Sequence, residues 1–203
     1  MGHIPQGEST AIDILTFDEA RARSEREAAY DTEKWMYYPS FYSEYRYVLG
    51  TKGRRPLICI GINPSTAEPG RLDNTVKTVE RLAAQNGYDS FIMFNVYAQR
   101  ATKPDDMDKV FNEALHRENM NAFRFILSGA EGQPHIWAAW GTIVEKRPYL
   151  KTCLKDMLAI GEEYGALWLK TGKVSKAGHP HHPLYLPNGS VFEPFDIGAY
   201  LSK

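Results

Sequence analysis

The chain has 203 residues, of which 43% are hydrophobic and 24% are charged, and its formal net charge is -1. This composition excludes a disordered chain and is sufficient for one well-filled core. A net charge close to zero argues against a protein that coats nucleic acid through bulk positive charge, because neutralised phosphates supply most non-specific affinity. The two cysteines, Cys59 and Cys153, are too few for a disulfide framework or a four-cysteine metal site, and we interpret them as core residues.

The sequence has no uninterrupted apolar run long enough to span a bilayer, and its first residues lack the basic-then-apolar pattern of a signal peptide. We therefore expect a cytoplasmic protein without a membrane partner. Residues 1–44 are predicted to form an N-terminal arm and helix packed on the core, and residues 45–203 to form one α/β domain. No pattern in the sequence indicates an oligomeric state.

The N-terminal segment contains few positions typical of a core. Met1 to Asp13 shows no hydrophobic period and is predicted to be a loose arm. The charged segment from Phe17 to Tyr30 predicts a surface helix that begins near Thr16 or Asp18. The aromatic segment from Trp35 to Tyr42 is interrupted by a proline, and we interpret it as a packed connector.

The central feature of the sequence is the apolar run from Leu57 to Ile62, which breaks abruptly into the polar loop Asn63-Pro64-Ser65-Thr66. A short apolar run bounded by turn residues is typical of a strand buried on both faces. The alternating segment from Tyr45 to Gly50 is followed by the turn Thr51-Lys52-Gly53. This pattern predicts a hairpin with the buried strand.

The rest of the chain alternates between helical and strand patterns. A helix is expected between the cap Asp73-Asn74-Thr75 and Gly87, and another from about Asp106 to Leu127. The segment beyond Gly141 predicts a helix in which Pro148 is a kink or a restart. Further strands are predicted at Phe91 to Val96, His135 to Trp140 and Ala166 to Leu169.

This order predicts a three-layer α/β fold. Its central sheet is four-stranded and mostly parallel, has helices on both faces, and gains one antiparallel strand from the N-terminal hairpin. The carboxyl ends of parallel strands meet at one edge of a sheet, where open α/β sheets bind their ligands. We therefore expect the loops that follow the strands to form the functional site.

Two asparagines, Asn63 and Asn95, lie at the ends of the first two core strands. An asparagine side chain can hold a water molecule or the edge of a nucleobase, which alternates donors and acceptors. It cannot act as a base at neutral pH. The alternative interpretation is that each side chain hydrogen-bonds its own loop.

Charged residues near the same edge also have two interpretations. Asp73 can orient a water molecule or stabilise a cation, or it can simply cap the helix that follows it. Arg100 and Lys103 make the second loop basic and suited to a phosphate, or they are isolated surface charges.

Three histidines, His179, His181 and His182, lie in the loop from Gly172 to Gly189. Adjacent His181 and His182 do not readily turn towards one ion in an extended segment, and the loop contains no carboxylate or cysteine, so we predict no metal site. A histidine fixed by a following proline, as in His182-Pro183, is better suited to donate a hydrogen bond to a leaving group.

Four motifs at these positions together resemble the uracil-DNA glycosylase superfamily. Gly61-Ile62-Asn63-Pro64 is similar to the first motif of its thymine- and mismatch-specific branch, and the segment from Asn95 to Thr102 is similar to its second-strand segment. Trp140-Gly141 resembles the third-strand ending, and His182-Pro183-Leu184 resembles the C-terminal His-Pro motif. The first motif has Asn63 where the fastest branch of that superfamily has an aspartate.

The stretch from Tyr45 to Phe195 more closely resembles a bacterial and phage group, domain-of-unknown-function family 1643, and is identified as a member of it. The family name implies no activity. The residues that carry this resemblance are Arg46-Tyr47, Asn63-Pro64-Ser65-Thr66, Asp73-Asn74-Thr75, Arg100-Ala101-Thr102, Ala139-Trp140-Gly141 and His182-Pro183-Leu184-Tyr185-Leu186.

The glycosylase resemblance implies hydrolysis of the bond between a base and its sugar, in DNA or a modified nucleotide, without a cofactor or metal. Asn63 would position the water, Asn95 would bind the base edge, and His182 would stabilise the departing base anion. Phe94 or Tyr97 would stack on a base taken out of the helix. The full candidate site has Asn63, His182 and Asp73 as catalytic residues, and Ile62, Pro64, Ser65, Phe94, Asn95, Tyr97, Arg100, Thr102, Trp140, Gly141 and Pro183 as substrate-binding residues.

Two other functions fit the same residues. The first is a module that binds a nucleotide or nucleic acid without hydrolysis. The second is a different enzyme of nucleotide metabolism that uses Asp73 and His182. A nucleobase, a nucleotide or DNA is the expected partner.

Overall fold

The computed structural model describes Ser9, residues 12–184 and residues 186–203. The loose arm expected from Met1 to Asp13 therefore lies mostly outside the described residues. Within the described part of the chain, no helix has the length and apolar character needed to cross a membrane.

Helices and strands alternate through most of the chain. The strands are β1 (Trp35–Tyr38), β2 (Val48–Thr51), β3 (Pro56–Gly61), β4 (Ser90–Asn95), β5 (His135–Ala138), β6 (Leu167–Thr171) and β7 (Phe192–Pro194). The helices are α1 (Phe17–Arg26), α2 (Asn74–Gln85), α3 (Glu113–Ser128), α4 (Tyr149–Glu163) and α5 (Ile197–Leu201), with 3-10 segments at Pro104–Asp106 and Gly141–Lys146.

The strands form one mixed, seven-stranded sheet in the order β1-β2-β4-β3-β5-β6-β7. β3 lies in the centre and pairs in parallel with β4 and β5, with Ile58 opposite both Ile92 and Ile136. β5 and β6 are also parallel. Every residue of β3 is buried, as its continuous apolar sequence predicts. The predicted α/β class and the mostly parallel centre of the sheet are confirmed.

The predicted hairpin between β2 and β3 is wrong. Both edges of β3 are occupied by β4 and β5, so β2 pairs antiparallel with the other edge of β4. Glycine is needed for this pairing, because a Cβ atom on Gly50 would overlap the main-chain oxygen of Phe91. The predicted segment from Tyr45 to Gly50 therefore contains a strand, β2, only from Val48 onward, and this strand has a different partner.

The sheet also has more strands than the four parallel strands and one antiparallel strand that were predicted. β1, which was predicted to be a connector, pairs antiparallel with β2, and β7 pairs antiparallel with β6. Both strands lie at the ends of the sheet and have only four and three residues, respectively. The three residues of β7 are too few to show a period, and the proline directly after β1 favoured the interpretation of that segment as a connector.

The predicted caps set the starts of α1 and α2. Thr16 and Glu19 form a capping box at α1. Asp73 accepts a hydrogen bond from the main-chain nitrogen of Val76 at 2.9 Å and so begins α2. Gly87 follows α2 with a φ of 80°, a conformation that glycine adopts without strain.

Two later helices differ from their predicted extents. The helix expected from about Asp106 begins instead at Glu113, because Asn112 caps it by accepting a hydrogen bond from Leu115 N at 3.0 Å. The helix beyond Gly141 starts as a 3-10 segment and restarts as α4 after Pro148. The short helix α5 was not predicted.

The sheet separates two hydrophobic cores, which makes the fold three-layered. Ile58 and Ile60 of β3 face the core that contains α3 and α4. Leu57 and Cys59 face the opposite core, which contains the apolar side of α2. Successive strand residues point to opposite faces, so one continuous apolar strand serves both cores.

The connections around β3 create a crevice at the carboxyl edge of the sheet. From β3 the chain passes through α2 to β4 on one side, and from β5 it passes through α4 to β6 on the other side. This divergence is a topological switch point, where open α/β sheets characteristically bind ligands.

Asn119 of α3 supports the end of β4. Its side chain is fully buried, and its Nδ2 atom donates to the main-chain oxygens of Asn95 at 3.0 Å and Val96 at 3.4 Å. The position of Asn95 in the crevice therefore depends partly on a hydrogen bond from the opposite core.

We expect Asn119→Ala to lower the free energy of unfolding by about 1–3 kcal/mol, because two buried carbonyl groups lose a donor. Chemical denaturation monitored by circular dichroism would measure this loss. Asn121→Ala is the matched control, since Asn121 is an exposed residue of the same helix. Equal losses in the two variants would contradict the supporting role of Asn119.

Candidate functional site

A polar cleft of about 430 Å³ lies at the carboxyl edge of the sheet. Its walls come from the loops after β3 and β4, the start of α2, and the loop between β6 and β7. The predicted site residues that line it are Ile62, Asn63, Ser65, Asp73, Asn95, Thr102 and His182.

Hydrogen bonds fasten the loop after β3 to the loop after β4. Tyr97 N donates to Ile62 O at 2.9 Å, and Ala101 N donates to Pro64 O at 2.9 Å. Asn63 adds two side-chain bonds, because its Nδ2 donates to Ala101 O at 2.7 Å and to Pro64 O at 3.1 Å. The two loops are therefore one rigid wall of the cleft.

These bonds also fix what Asn63 offers to a ligand. Only the amide nitrogen can face two carbonyl oxygens, so the orientation of the side chain is determined by its partners. Among the described residues, none donates a hydrogen bond to Asn63 Oδ1. The side-chain nitrogen of Asn63 thus hydrogen-bonds main-chain atoms of the loops, in line with the alternative interpretation. Its Oδ1 atom remains an acceptor at the cleft.

Asn95 is buried without a hydrogen-bond partner for its side chain. The residue is 1% exposed, and neither Nδ2 nor Oδ1 has a partner among the described residues. Its main-chain oxygen is bound by Asn119, so the side chain is held at the base of the cleft. A Cβ atom on Gly61 would lie 3.1 Å from Asn95 Nδ2, which shows how closely β3 approaches this amide.

Asp73 combines both roles considered from the sequence. Its Oδ1 caps α2 through Val76 N, and the residue also lines the cleft. It is the only carboxylate among the described residues of the cleft wall. Asp73 lies close enough to His182 to influence the pKa of the imidazole.

His182 presents a hydrogen-bond donor to the cleft. Its Nδ1 accepts a hydrogen bond from the main-chain nitrogen of Leu184 at 3.2 Å, so in the neutral ring the proton is on Nε2. Burial lowers the pKa of His182 below its usual 6.5, and the Asp73 carboxylate partly opposes this shift. The imidazole is therefore neutral at pH 7 with an Nε2–H group.

Gly141 allows the histidine loop to approach the end of β5. Its φ is 62°, and a Cβ atom at this position would lie 3.5 Å from His182 Cβ. A larger residue would be strained by this backbone conformation, while its Cβ atom would be in ordinary van der Waals contact with His182. Gly141 positions the histidine but is not part of the cleft wall.

The aromatic residues predicted to bind substrate lie in the core instead. Phe94 is fully buried and packs against Phe123 of α3. Tyr97 is also fully buried, and its hydroxyl donates to Asp108 at 2.6 Å. Trp140 donates through Nε1 to the Tyr200 hydroxyl at 3.2 Å. None of the three rings is available to stack on a base in this structure.

Three further predicted residues lie behind the cleft wall. Arg100 is fully buried and donates to Ser65 O at 2.6 Å and to the Tyr37 hydroxyl at 3.0 Å. Pro64 is buried beneath the loop after β3, and Pro183 is buried beside His182. These residues hold the wall in position rather than facing a ligand.

The three histidines lie in different surroundings. His179 is buried, with its ring nitrogens 2.8 Å from the Tyr200 hydroxyl and 3.0 Å from Glu145 Oε1, whereas His181 is exposed. Among the described residues, no group of three histidine, cysteine or acidic side chains is arranged to hold a metal ion.

Arg46 is a cleft residue that the sequence interpretation missed. It is 2% exposed, lines the cleft and donates through Nη1 to Ala67 O at 2.9 Å. Burial lowers its pKa to about 9, with a smaller contribution from the Arg100 cation, so it stays charged at neutral pH. An arginine within the apolar, β-prone segment Tyr45 to Gly50 was the signal that could have identified it.

The structure defines an α/β protein with a polar cleft at the carboxyl edge of the parallel strands in a mixed sheet. Residues 46–184 match the model of the family described as Protein of unknown function (DUF1643), and the chain belongs to that family. No curated protein and no solved structure matches the chain. The predicted family membership is confirmed, whereas the resemblance to uracil-DNA glycosylases stays a hypothesis.

We expect the free energy of unfolding to fall as the pH drops below about 6.5, because the unfolded chain takes up a proton at His182 before the native protein does. The loss should level off below the lowered native pKa. An NMR titration of the His182 imidazole, assigned by its absence in His182→Gln, should give a midpoint below 6.5. A midpoint at or above that value would contradict the buried, neutral imidazole.

We also expect Asn63→Asp to destabilise the protein by about 1–3 kcal/mol, because a carboxylate would face two carbonyl oxygens that now receive hydrogen bonds. Thermal unfolding would measure the change. Asn74→Asp adds the same charge at an exposed position in the first turn of α2, where negative charge is favourable. Unchanged stability of Asn63→Asp would show that the loop does not require an amide.

Proposed function

We propose that the chain is a glycosylase-like enzyme that binds a nucleobase in the cleft and hydrolyses its bond to the sugar. The substrate is a base in DNA or in a modified nucleotide. Four motifs in the order typical of uracil-DNA glycosylases support the proposal, as does the presence of Asn63, Asn95 and His182 in one cleft.

The buried amide of Asn95 is the observation that carries this proposal. An unpaired buried donor or acceptor costs about 1–3 kcal/mol, and Asn95 contributes one of each. A ligand that offers both a carbonyl-type acceptor and an adjacent N–H group satisfies both atoms at once. Nucleobase edges have this alternation, and an asparagine pairs with them through two hydrogen bonds.

His182 supplies the group that the leaving base requires. When the bond to the sugar breaks, negative charge develops on the base and positive charge on the sugar ring. A neutral imidazole that donates a hydrogen bond through Nε2 stabilises this negative charge on the base without itself acting as an acid. The low dielectric of a half-buried site strengthens this hydrogen bond.

In the proposed reaction, Asn63 and Asp73 act on the attacking water and the sugar. Asn63 Oδ1 can accept a hydrogen bond from the attacking water, although it cannot remove a proton. An oxocarbenium-like sugar is a strong electrophile, so a positioned water needs little help from a base. The negative charge of Asp73 stabilises the developing cation.

The second candidate is a protein that binds the nucleobase without hydrolysing it. The specific observation in its favour is that the cleft has few side chains that could act as a general base. Asn63 is neutral, and one oxygen of Asp73 is already committed to the helix cap. Both candidates require the same recognition of the base by Asn95, so activity and binding must be measured separately.

Release of free base from oligonucleotides tests the enzyme directly. Single- and double-stranded substrates should carry uracil, mismatched bases and a range of damaged or modified bases, and chromatography would detect the products. We expect release from at least one of them, reduced at least tenfold by His182→Gln. Binding without release across the whole panel would favour the second candidate.

The Asn95→Leu variant tests whether the unpaired side-chain amide of Asn95 recognises the base. Leucine has a similar volume and removes both unpaired polar atoms, so we expect stability to be kept or increased. Nucleobase affinity, measured by calorimetry, should fall by a factor of about 10–100 because two hydrogen bonds are lost. Asn119→Leu is the matched control for stability and should be destabilising, since Asn119 has two carbonyl partners. Unchanged base affinity in Asn95→Leu would contradict the proposal.

A further inference from the structure

Two guanidinium groups are buried next to each other beside the cleft. Arg46 is 2% exposed and Arg100 is fully buried. Each lacks a carboxylate within ion-pair distance among the described residues, and Nε of each has no hydrogen-bond partner there. Buried cations are normally paired, because removing a charge from water is costly.

The two arginines differ in how many of their N–H groups remain without a hydrogen-bond partner among the described residues. Arg100 is engaged through both terminal nitrogens, with Ser65 O and the Tyr37 hydroxyl. Arg46 makes a single hydrogen bond, from Nη1 to Ala67 O, and lies on the cleft wall. Most of its donors are therefore unused, and the residue lines the cleft.

The local charge balance favours an anion at this position. Asp73 is the single carboxylate on the described cleft wall, and it caps α2. Glu68 acts on Arg100 but forms an ion pair with Arg71 at 2.9 Å. Two guanidinium charges thus outweigh one cleft carboxylate.

The surrounding wall has the donors that phosphate needs. Hydroxyl groups of Ser65, Thr66 and Thr102 line the same cleft as Arg46. Arginine presents a planar fork of N–H groups that matches phosphate oxygens, and hydroxyl groups add neutral donors. A phosphate would satisfy the unused donors of Arg46 and compensate its buried charge.

We propose that Arg46 forms a phosphate subsite of the cleft, so that the ligand is a phosphate-bearing nucleotide unit rather than a free base or nucleoside. This inference rests on the proposed nucleobase site for the identity of the attached group. The phosphate itself belongs either to a free nucleotide or to a nucleic-acid backbone, which present the same oxygens to Arg46.

The first experiment tests the subsite without any base. The wild-type protein is titrated with inorganic phosphate, and the arginine Nε–H signals are followed by NMR, with sodium chloride at equal ionic strength as the reference. We expect a saturable shift of one signal that is absent in Arg46→Met. The same response to phosphate and chloride would overturn the proposal.

The second experiment compares a nucleoside with its 5′-monophosphate by calorimetry. The monophosphate should bind the wild type at least about tenfold more tightly, as expected for a charge-assisted contact to arginine. Arg46→Met should lose this preference and retain the nucleoside affinity. Arg71→Gln is the matched control, because it removes an exposed arginine near the cleft and should keep the preference.

The outcomes separate the two proposals. Phosphate binding at Arg46 without any affinity for nucleosides would support the subsite and contradict the nucleobase site. Nucleoside binding without a preference for the monophosphate would overturn the subsite alone. A short single-stranded oligonucleotide that binds more tightly than the monophosphate identifies a backbone phosphate, and equal affinity identifies a free nucleotide.

Discussion

The central constraint in this fold is that β3 has parallel partners on both edges. A strand in this position ends between two other strand ends, so its following loop cannot leave the sheet without meeting theirs. Here the contact is made rigid by main-chain bonds and by the amide of Asn63, which donates to Ala101 O at 2.7 Å. The cleft wall is therefore a direct extension of the sheet, and its shape depends on the same hydrogen bonds that end the strands.

Two side chains that line the cleft contain buried polar atoms without hydrogen-bond partners among the described residues. Some buried polar groups near the cleft are satisfied: Asp108 accepts a hydrogen bond from the Tyr97 hydroxyl at 2.6 Å, and its main-chain nitrogen donates to Gln99 Oε1 at 2.7 Å. At the cleft, the amide of Asn95 and the guanidinium of Arg46 keep unpaired atoms. Unpaired buried atoms also occur in the two cores, at Trp137 and Trp168, but those of Asn95 and Arg46 belong to residues that line the cleft. A ligand bound in the cleft, as proposed, would supply the missing partners of these two side chains.

The strongest sequence patterns predicted the parts of the structure that depend on local chemistry. The apolar run of β3 and the cap of α2 at Asp73 follow from residue type and order alone. The edge strands β1 and β7 depend on partners distant in sequence, and β7 is too short to show a period. Phe94 was expected beside Asn95 in the site, yet neighbouring strand residues point to opposite faces, so the two could not both face the cleft. Arg46 was missed because its place in the site depends on a contact with the loop after β4, where its main-chain nitrogen donates to Ala98 O at 2.9 Å.

The asparagine at position 63 affects both the structure of the loop after β3 and the proposed reaction. An aspartate there would supply a base for hydrolysis, but it would also place a carboxylate against the carbonyl oxygens of Pro64 and Ala101. The loop in this chain therefore requires an amide at position 63. An amide is a weaker group than a carboxylate for activating water. Any hydrolysis must then depend on stabilising the departing base through His182 and the developing cation through Asp73, and much less on activating the water. If the cleft hydrolyses the bond between base and sugar as proposed, the best substrates are those whose bases leave readily as anions.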